Sequence, residues 1–408
     1  MLQGAEAGGA QSWPDDGVID LSYQWLTDLR DAPEALRDAE RINLEGNELR
    51  DLTPLTECAR LTGLNLDGNP VEDFTPLESL TGLTALSLRM CQISDLSPLA
   101  AALQRLPKLA ELDLSGNDIS DLSPLTGLTG LTALHLRNNP IENLAPLEPL
   151  TNLTMLTLTS GRISDAGPLA GLTRLTVLDL SENRVEDLTP LAGLTELGEL
   201  YLYHNGVHDL SPLAGLKRLT VLNVGKGNAL SDLGPLAGME GLRKLDMSHN
   251  QIGDLTPLAG LTALEQLHLD YNEISDVGPL AGMTRLTALR LWHNQIADIS
   301  PLAGMTEMVS LTLHDNKIAD LTPLSGMIRL TELGLSLNRI RVLDPLAGLA
   351  ELTSLDVSWN RLDGIEPLAG LPRLATLNVK ENIRINQRRV NVLQEALPNC
   401  RIQSGNKQ

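Results

Sequence analysis

The chain is 408 residues long, carries a formal net charge of −21 and has aromatic side chains at only 2% of its positions. Rings this scarce cannot fill a core, and a surface this acidic speaks against a nucleic-acid partner, since phosphate binding needs clustered lysine and arginine. Three cysteines, Cys58, Cys91 and Cys400, are too few and too scattered for a disulfide framework, and no stretch approaches the roughly 18 apolar residues of a membrane span.

Residues 1–17, MLQGAEAGGAQSWPDDG, have neither a basic start nor an apolar run of signal-peptide length. They read as the flexible tail of a cytoplasmic protein, with secretion open if a leader has been removed. From residue 18 to residue 382 one pattern returns every 22 residues: LTRLTVLDLSENRVEDLTPLAG around Asn183, LTALEQLHLDYNEISDVGPLAG around Asn272. Its rungs are Gln24, Asn47, Asn69, Cys91, Asn117, Asn139, Gly161, Asn183, Asn205, Asn228, Asn250, Asn272, Asn294, Asn316, Asn338, Asn360 and Asn382, seventeen units in all. Two insertions break the period. AALQRLPK before Asn117 predicts a lengthened helix, and VGKGNAL, with Gly225, Lys226 and Gly227, predicts a bulged loop at a strand end. Residues 383–408, containing INQRRVNVLQEALPNCRI, predict a capping helix and strand plus a tail, with Val390, Leu393 and Leu397 covering the open core.

Within each unit, LxLxxN alternates apolar and polar residues with the period of a strand buried on one face. Leu178 and Leu180 should point inward, Asp179 and Ser181 outward. The asparagine that follows sits where the chain leaves the strand, where its amide can satisfy backbone groups of its own and the neighbouring coil. Next comes IxDLxPL. Serine or threonine before proline, as at Thr53–Pro54 or Ser97–Pro98, predicts a hydroxyl N-cap opening a short helical turn with proline first. The recurring acid four residues past the rung (Asp51, Asp95, Asp187, Asp254, Asp320) reads as a turn-and-capping residue rather than a calcium ligand.

The repeated LxxLxLxxNxIxDLxPLxxL resembles the leucine-rich-repeat family, in the 22-residue type shared by bacterial internalins and SDS22-like phosphatase regulators. The resemblance implies an α/β leucine-rich-repeat solenoid, a horseshoe or arc of about seventeen repeats. In it a parallel β-sheet lines the concave face and short helical turns the convex one. It also implies a binding role: a cytosolic subunit holding an enzyme such as a phosphatase, or a secreted adhesin binding a receptor.

In such an array the outward strand positions fall six, four, two and one residues before the rung and one after it. Of the sixteen aromatic and histidine side chains, thirteen lie there, against roughly a quarter expected from five positions in twenty-two. They concentrate on the rungs from Asn205 to Asn316, which makes Tyr201, Tyr203, His204, His249, His268, Asp270, Tyr271, Arg290, Trp292, His293, His314 and Asp315 the expected partner-binding residues. Arg339, Arg341, Trp359, Arg361 and Lys380 form a basic-aromatic run nearer the C-terminus, read first as a charged solenoid end. The alternative is an enzyme or metal site built from the histidines, for instance His293, His314 and Asp315. No GxSxG, P-loop, HExxH or dinucleotide motif stands in a suitable setting. The expectation is a monomeric, non-enzymatic scaffold for a protein partner, without cofactor, metal or membrane association.

Overall fold

The computed structural model describes residues 17–30 and 34–405. The tail expected over residues 1–17 lies, but for Gly17, outside them. Contacts divide the chain into two compact units, Met1–Gly206 and Val207–Gln408.

Among the described residues the first unit holds nine three-residue strands. They are β1 (Val18–Asp20), β2 (Arg41–Asn43), β3 (Gly63–Asn65), β4 (Ala85–Ser87) and β5 (Glu111–Asp113). β6 (Ala133–His135), β7 (Met155–Thr157), β8 (Val177–Asp179) and β9 (Glu199–Tyr201) follow. Each pairs in parallel with the next, so that Ile42, Leu64 and Leu86 stand side by side one rung apart. From β2 to β9 the middle residues and the leucines two positions on, such as Leu178 and Leu180, are fully buried. Burial of these side chains against the coils above and below is the main stabilising term.

The second unit repeats the arrangement. Its strands are β10 (Val221–Asn223), β11 (Lys244–Asp246), β12 (Gln266–His268), β13 (Ala288–Arg290) and β14 (Ser310–Thr312). β15 (Glu332–Gly334), β16 (Ser354–Asp356), β17 (Thr376–Asn378) and β18 (Arg401–Gln403) complete it. Leu245, Leu267 and Leu289 form an inward column of this unit's own. After β17 comes the helix Gln387–Ala396, N-capped by the Asn386 side chain, which accepts the Arg389 N–H at 3.1 Å. Val390, Leu393 and Leu397 are buried, and β18 pairs with β17.

The asparagine ladder ties coil to coil. Asn183 donates through Nδ2 to Leu158 O (2.8 Å) on the preceding coil and to Leu180 O (2.9 Å) on its own, and its Oδ1 accepts Ile163 N–H at 3.0 Å. Asn272 does the same with Met247 O, Leu269 O and Ile252 N–H, each at 3.0 Å. These backbone groups are buried, so each asparagine removes the cost of leaving them unpaired. Cys91 keeps part of the role, its Sγ lying 3.3 Å from Leu66 O. At Gly161 the role is lost: Ile141 N–H turns instead to Asn139 O at 2.8 Å.

Single turns of 3-10 helix return the chain, and the insertion before Asn117 accompanies the one true α-helix of the first unit's described residues, Ser97–Gln104. The hydroxyl N-cap is not what opens these turns. Serine or threonine is already the first residue of the turn, proline the second, and the residue before is apolar with no side-chain cap. The acid two residues earlier does the work. Asp51, Asp187, Asp254 and Asp320 each accept the following Thr N–H at 2.8 Å. A carboxylate is the stronger acceptor and forms an Asx turn at this spacing. These hydrogen bonds hold the four carboxyls below the ordinary aspartate range.

Candidate functional site

The residue immediately before each rung has a positive φ, because the chain must reverse there to leave the strand. In the first unit glycine fills the position at Gly46 (φ 66°), Gly68 (φ 67°) and Gly116 (φ 71°), and Tyr23, Met90, Asn138, Ser160, Glu182 and His204 hold it on the other six rungs. From His249 (φ 56°) onward in the second unit every rung carries a side chain: Tyr271 (51°), His293 (54°), Asp315 (51°), Leu337 (56°), Trp359 (55°) and Glu381 (57°). The left-handed conformation costs an L-residue about 1–2 kcal/mol, a cost glycine avoids. The sequence pattern placed these side chains on the outward face without revealing that cost. A large residue at the position before the rung is the signal that marks them.

In the second unit this row assembles a ring cluster. His249 stacks on Tyr271 with centroids 4.1 Å apart and planes at 18°; Tyr271 meets His293 at 4.5 Å and the edge of Trp292 at 4.4 Å. His293 Nδ1 lies 2.5 Å from Asp315 Oδ2. His249 and His293 are exposed, while Tyr271, Trp292, His314, Arg290 and Asp315 are half-buried.

Beneath the rings lies a polar floor. Asp270, 2% exposed, accepts from Arg290 Nε at 3.0 Å and from Trp292 N–H at 3.1 Å. Burial pushes its carboxyl up to about 6, outweighing the opposing pull of Arg290. His268 is also buried, its Nδ1 3.6 Å from Asp246 Oδ2. Burial acts to raise the Asp246 carboxyl, but hydrogen bonds from His268 and Ser248 overcome it and leave the group lowered. His314 Nδ1 accepts Ser336 N–H at 3.0 Å, which makes the ring neutral with its proton on Nε2. Its imidazole fills the space a Cβ on Gly334 would need, and burial lowers its proton affinity.

In the first unit, Tyr201 is not at the accessible surface. It is 6% exposed and donates its hydroxyl to Glu199 Oε2 at 2.8 Å; burial, then that carboxylate, raises its phenol. Tyr203 and His204 remain accessible, their rings tilted at 6.2 Å. Of the twelve expected contact residues, Tyr201, His268 and Asp270 therefore support the face from within. The histidines do not converge: among the described residues no three histidine, cysteine or acidic side chains gather as a metal requires. No helix among those residues is long and apolar enough to cross a membrane.

A family model described as leucine-rich repeats (two copies) matches residues 107–149, 151–193, 240–282 and 284–326. Among solved structures, an internalin (InlF) of Listeria monocytogenes is 34% identical, over 74% of this chain and 88% of that one, with a TM-score of 0.70. A leucine-rich-repeat protein of Leptospira interrogans shares 24% identity over 93% of this chain and 99% of its own, with a TM-score of 0.83. The Drosophila Toll–Spätzle complex matches at 23% identity, 86% and 51% coverage and a TM-score of 0.66, a likeness of fold alone. The chain belongs to the leucine-rich-repeat family, in its internalin-like type. No curated protein matches it in sequence. Proteins of this fold are in general non-enzymatic scaffolds and receptors for other proteins.

Proposed function

We propose that the chain is a non-enzymatic scaffold that docks a protein partner on its strand face, with the ring cluster of His249, Tyr271, Trp292 and His293 as the anchor in the second unit. The carrying observation is that three of these four rings stand at left-handed positions where glycine would serve the fold better. Aromatic side chains packed on one another and backed by a hydrogen-bonded floor are rigid, so little freedom is lost when a partner covers them. His293, exposed, and Asp315, half-buried, pair with one another; they belong to the polar rim of such a surface and set orientation more than affinity. In the first unit, Tyr203 and His204 offer a smaller accessible pair that would serve the same role. The Toll–Spätzle complex illustrates a leucine-rich-repeat array holding a protein, and we extend that mode, not its partner, to this chain.

The test is a capture experiment with the whole chain as bait, comparing wild type with Tyr271→Ala/Trp292→Ala. Anchor removal should weaken capture about 10–100-fold. Equal recovery of the same partner by both proteins defeats the reading.

A further inference from the structure

Beyond the ring cluster, the last rungs of the second unit carry a different surface. Leu337 and Trp359 continue the left-handed row and are each 47% exposed, and Ile383, just past the final rung, is 89% exposed. One step to the side, Lys317, Arg339 and Arg361 occupy the same position on three consecutive rungs. Their backbone N–H groups bond in identical fashion to Ile296 O, Ile318 O and Ile340 O, at 2.8, 2.8 and 2.9 Å. The three cationic side chains therefore stand in register at the rung spacing, about 4.8 Å.

Elsewhere in this unit the array answers an arginine with an acid 22 residues away: Arg243 with Glu265, Arg329 with Glu307, Arg341 with Asp363, Arg373 with Glu351. Arg339 is answered by Arg361. Neither guanidinium, nor the exposed Lys380 beside them, has an ion pair among the described residues, and Lys317 reaches only the neutral Gln295 Oε1 at 3.3 Å. Against these cations stand two acids of the left-handed row, Asp315, which pairs with His293, and Glu381. In a chain of net charge −21, a column of stacked, unanswered cations is repulsive on its own and becomes favourable only when an anionic group lies along it.

We infer that Leu337, Arg339, Trp359, Arg361, Lys380 and Ile383 form a second docking surface, which takes an acidic segment of a protein partner that also carries apolar side chains. The apolar residues supply burial and the cations supply register and selectivity. Nucleic acid fits less well, because its unbroken row of phosphates extends past these cations onto acidic surface and offers nothing aliphatic to Leu337 and Ile383.

A random peptide library panned on the whole chain, counter-selected against Arg339→Glu/Arg361→Glu, reads this directly. Expected are peptides rich in Asp and Glu with interspersed Leu, Phe or Trp. A synthesised representative should bind wild type at least about tenfold more tightly than either the double variant or Trp359→Ala, with affinity falling as salt rises. Tyr271→Ala/Trp292→Ala should bind it unchanged, which separates this surface from the ring cluster. Enrichment of neutral or basic peptides, no enrichment at all, equal affinity for the charge-reversed chain, or loss of binding in the ring variant would each overturn the inference. So would an oligo-dT strand that binds more tightly than the peptide.

Discussion

The two units have the same interior and different rims. Both bury an unbroken column of leucine and isoleucine, both carry the asparagine ladder, and both open their turns with an aspartate. They part at the residue before the rung. The first unit has glycine there on three of its nine rungs and sets Tyr23, Met90, Asn138, Ser160, Glu182 and His204 at the same strained φ on the other six, whereas the second, after Gly227, carries a side chain on all seven remaining rungs, with rings on consecutive ones from His249 to His293. The interior specifies the coil and is indifferent to what stands on that row. Side chains found there against a backbone preference mark a requirement other than folding.

If the interiors are equivalent, damage to them should not distinguish the units. Leu134→Ala in β6 and Leu267→Ala in β12 both empty a fully buried site, and each should lower the unfolding free energy by about 2–5 kcal/mol in urea titration. A loss confined to one of them would break the equivalence. The ladder should behave likewise. Asn139→Ala and Asn272→Ala strand buried carbonyls that Nδ2 now satisfies, at a cost of about 2–4 kcal/mol. Gly161 shows that one rung can be lost when a neighbouring N–H finds a backbone carbonyl instead, so values at the low end would mean that this rearrangement is general.

Much of this was readable in the chain. Leucine periodicity and the asparagine rungs define strand, register and inward face because the unit recurs seventeen times, with asparagine on fourteen of its rungs, and each answers a backbone requirement that does not vary. The site was legible only in part. Placing a ring on the outward face did not say whether neighbours one rung away would cover it, and they cover Tyr201 and His268. The turn opener is hidden in the sequence because serine and threonine beside proline look like a cap, while the acid that performs the task lies two residues earlier. The left-handed row was hidden because its residues range from glycine to tryptophan, and only backbone geometry shows what they share.

A buried carboxyl offers a finer comparison. Asp67 in the first unit and Asp270 in the second hold the same position, two residues before the rung, and both are raised to about 6, chiefly by burial. A carboxyl whose folded value lies above its unfolded one contributes stability below the unfolded range, near 3.8, and that contribution is lost as pH climbs through 6. Asparagine keeps an oxygen for the Arg89 N–H or the Trp292 N–H and removes the charge. Asp67→Asn and Asp270→Asn should therefore gain on wild type between pH 4 and pH 7 by on the order of 2–3 kcal/mol each, measured by urea unfolding across that range. A flat profile for Asp270→Asn beside a steep one for Asp67→Asn would show that Arg290 offsets burial in the second unit alone.

The smallest effect on stability carries the most information about the rim. Gly68→Ala places a methyl where the nearest atom, Gly46 Cα, is 3.6 Å away, so space is sufficient and only the backbone objects. The left-handed cost, less what a stiffer unfolded chain returns, leaves a loss of about 1 kcal/mol. Tyr271→Gly runs the comparison backwards. It relieves φ 51°, forfeits the ring contacts with His249, Trp292 and His293, and loosens the unfolded chain. These terms are each about 1 kcal/mol and of mixed sign, so the net change should stay within about 1 kcal/mol. Capture of a partner, by contrast, should fall as steeply as in the double alanine variant. Were Tyr271→Gly to cost several kcal/mol, the ring would be part of the coil's own packing, and the distinction drawn between the two units would dissolve.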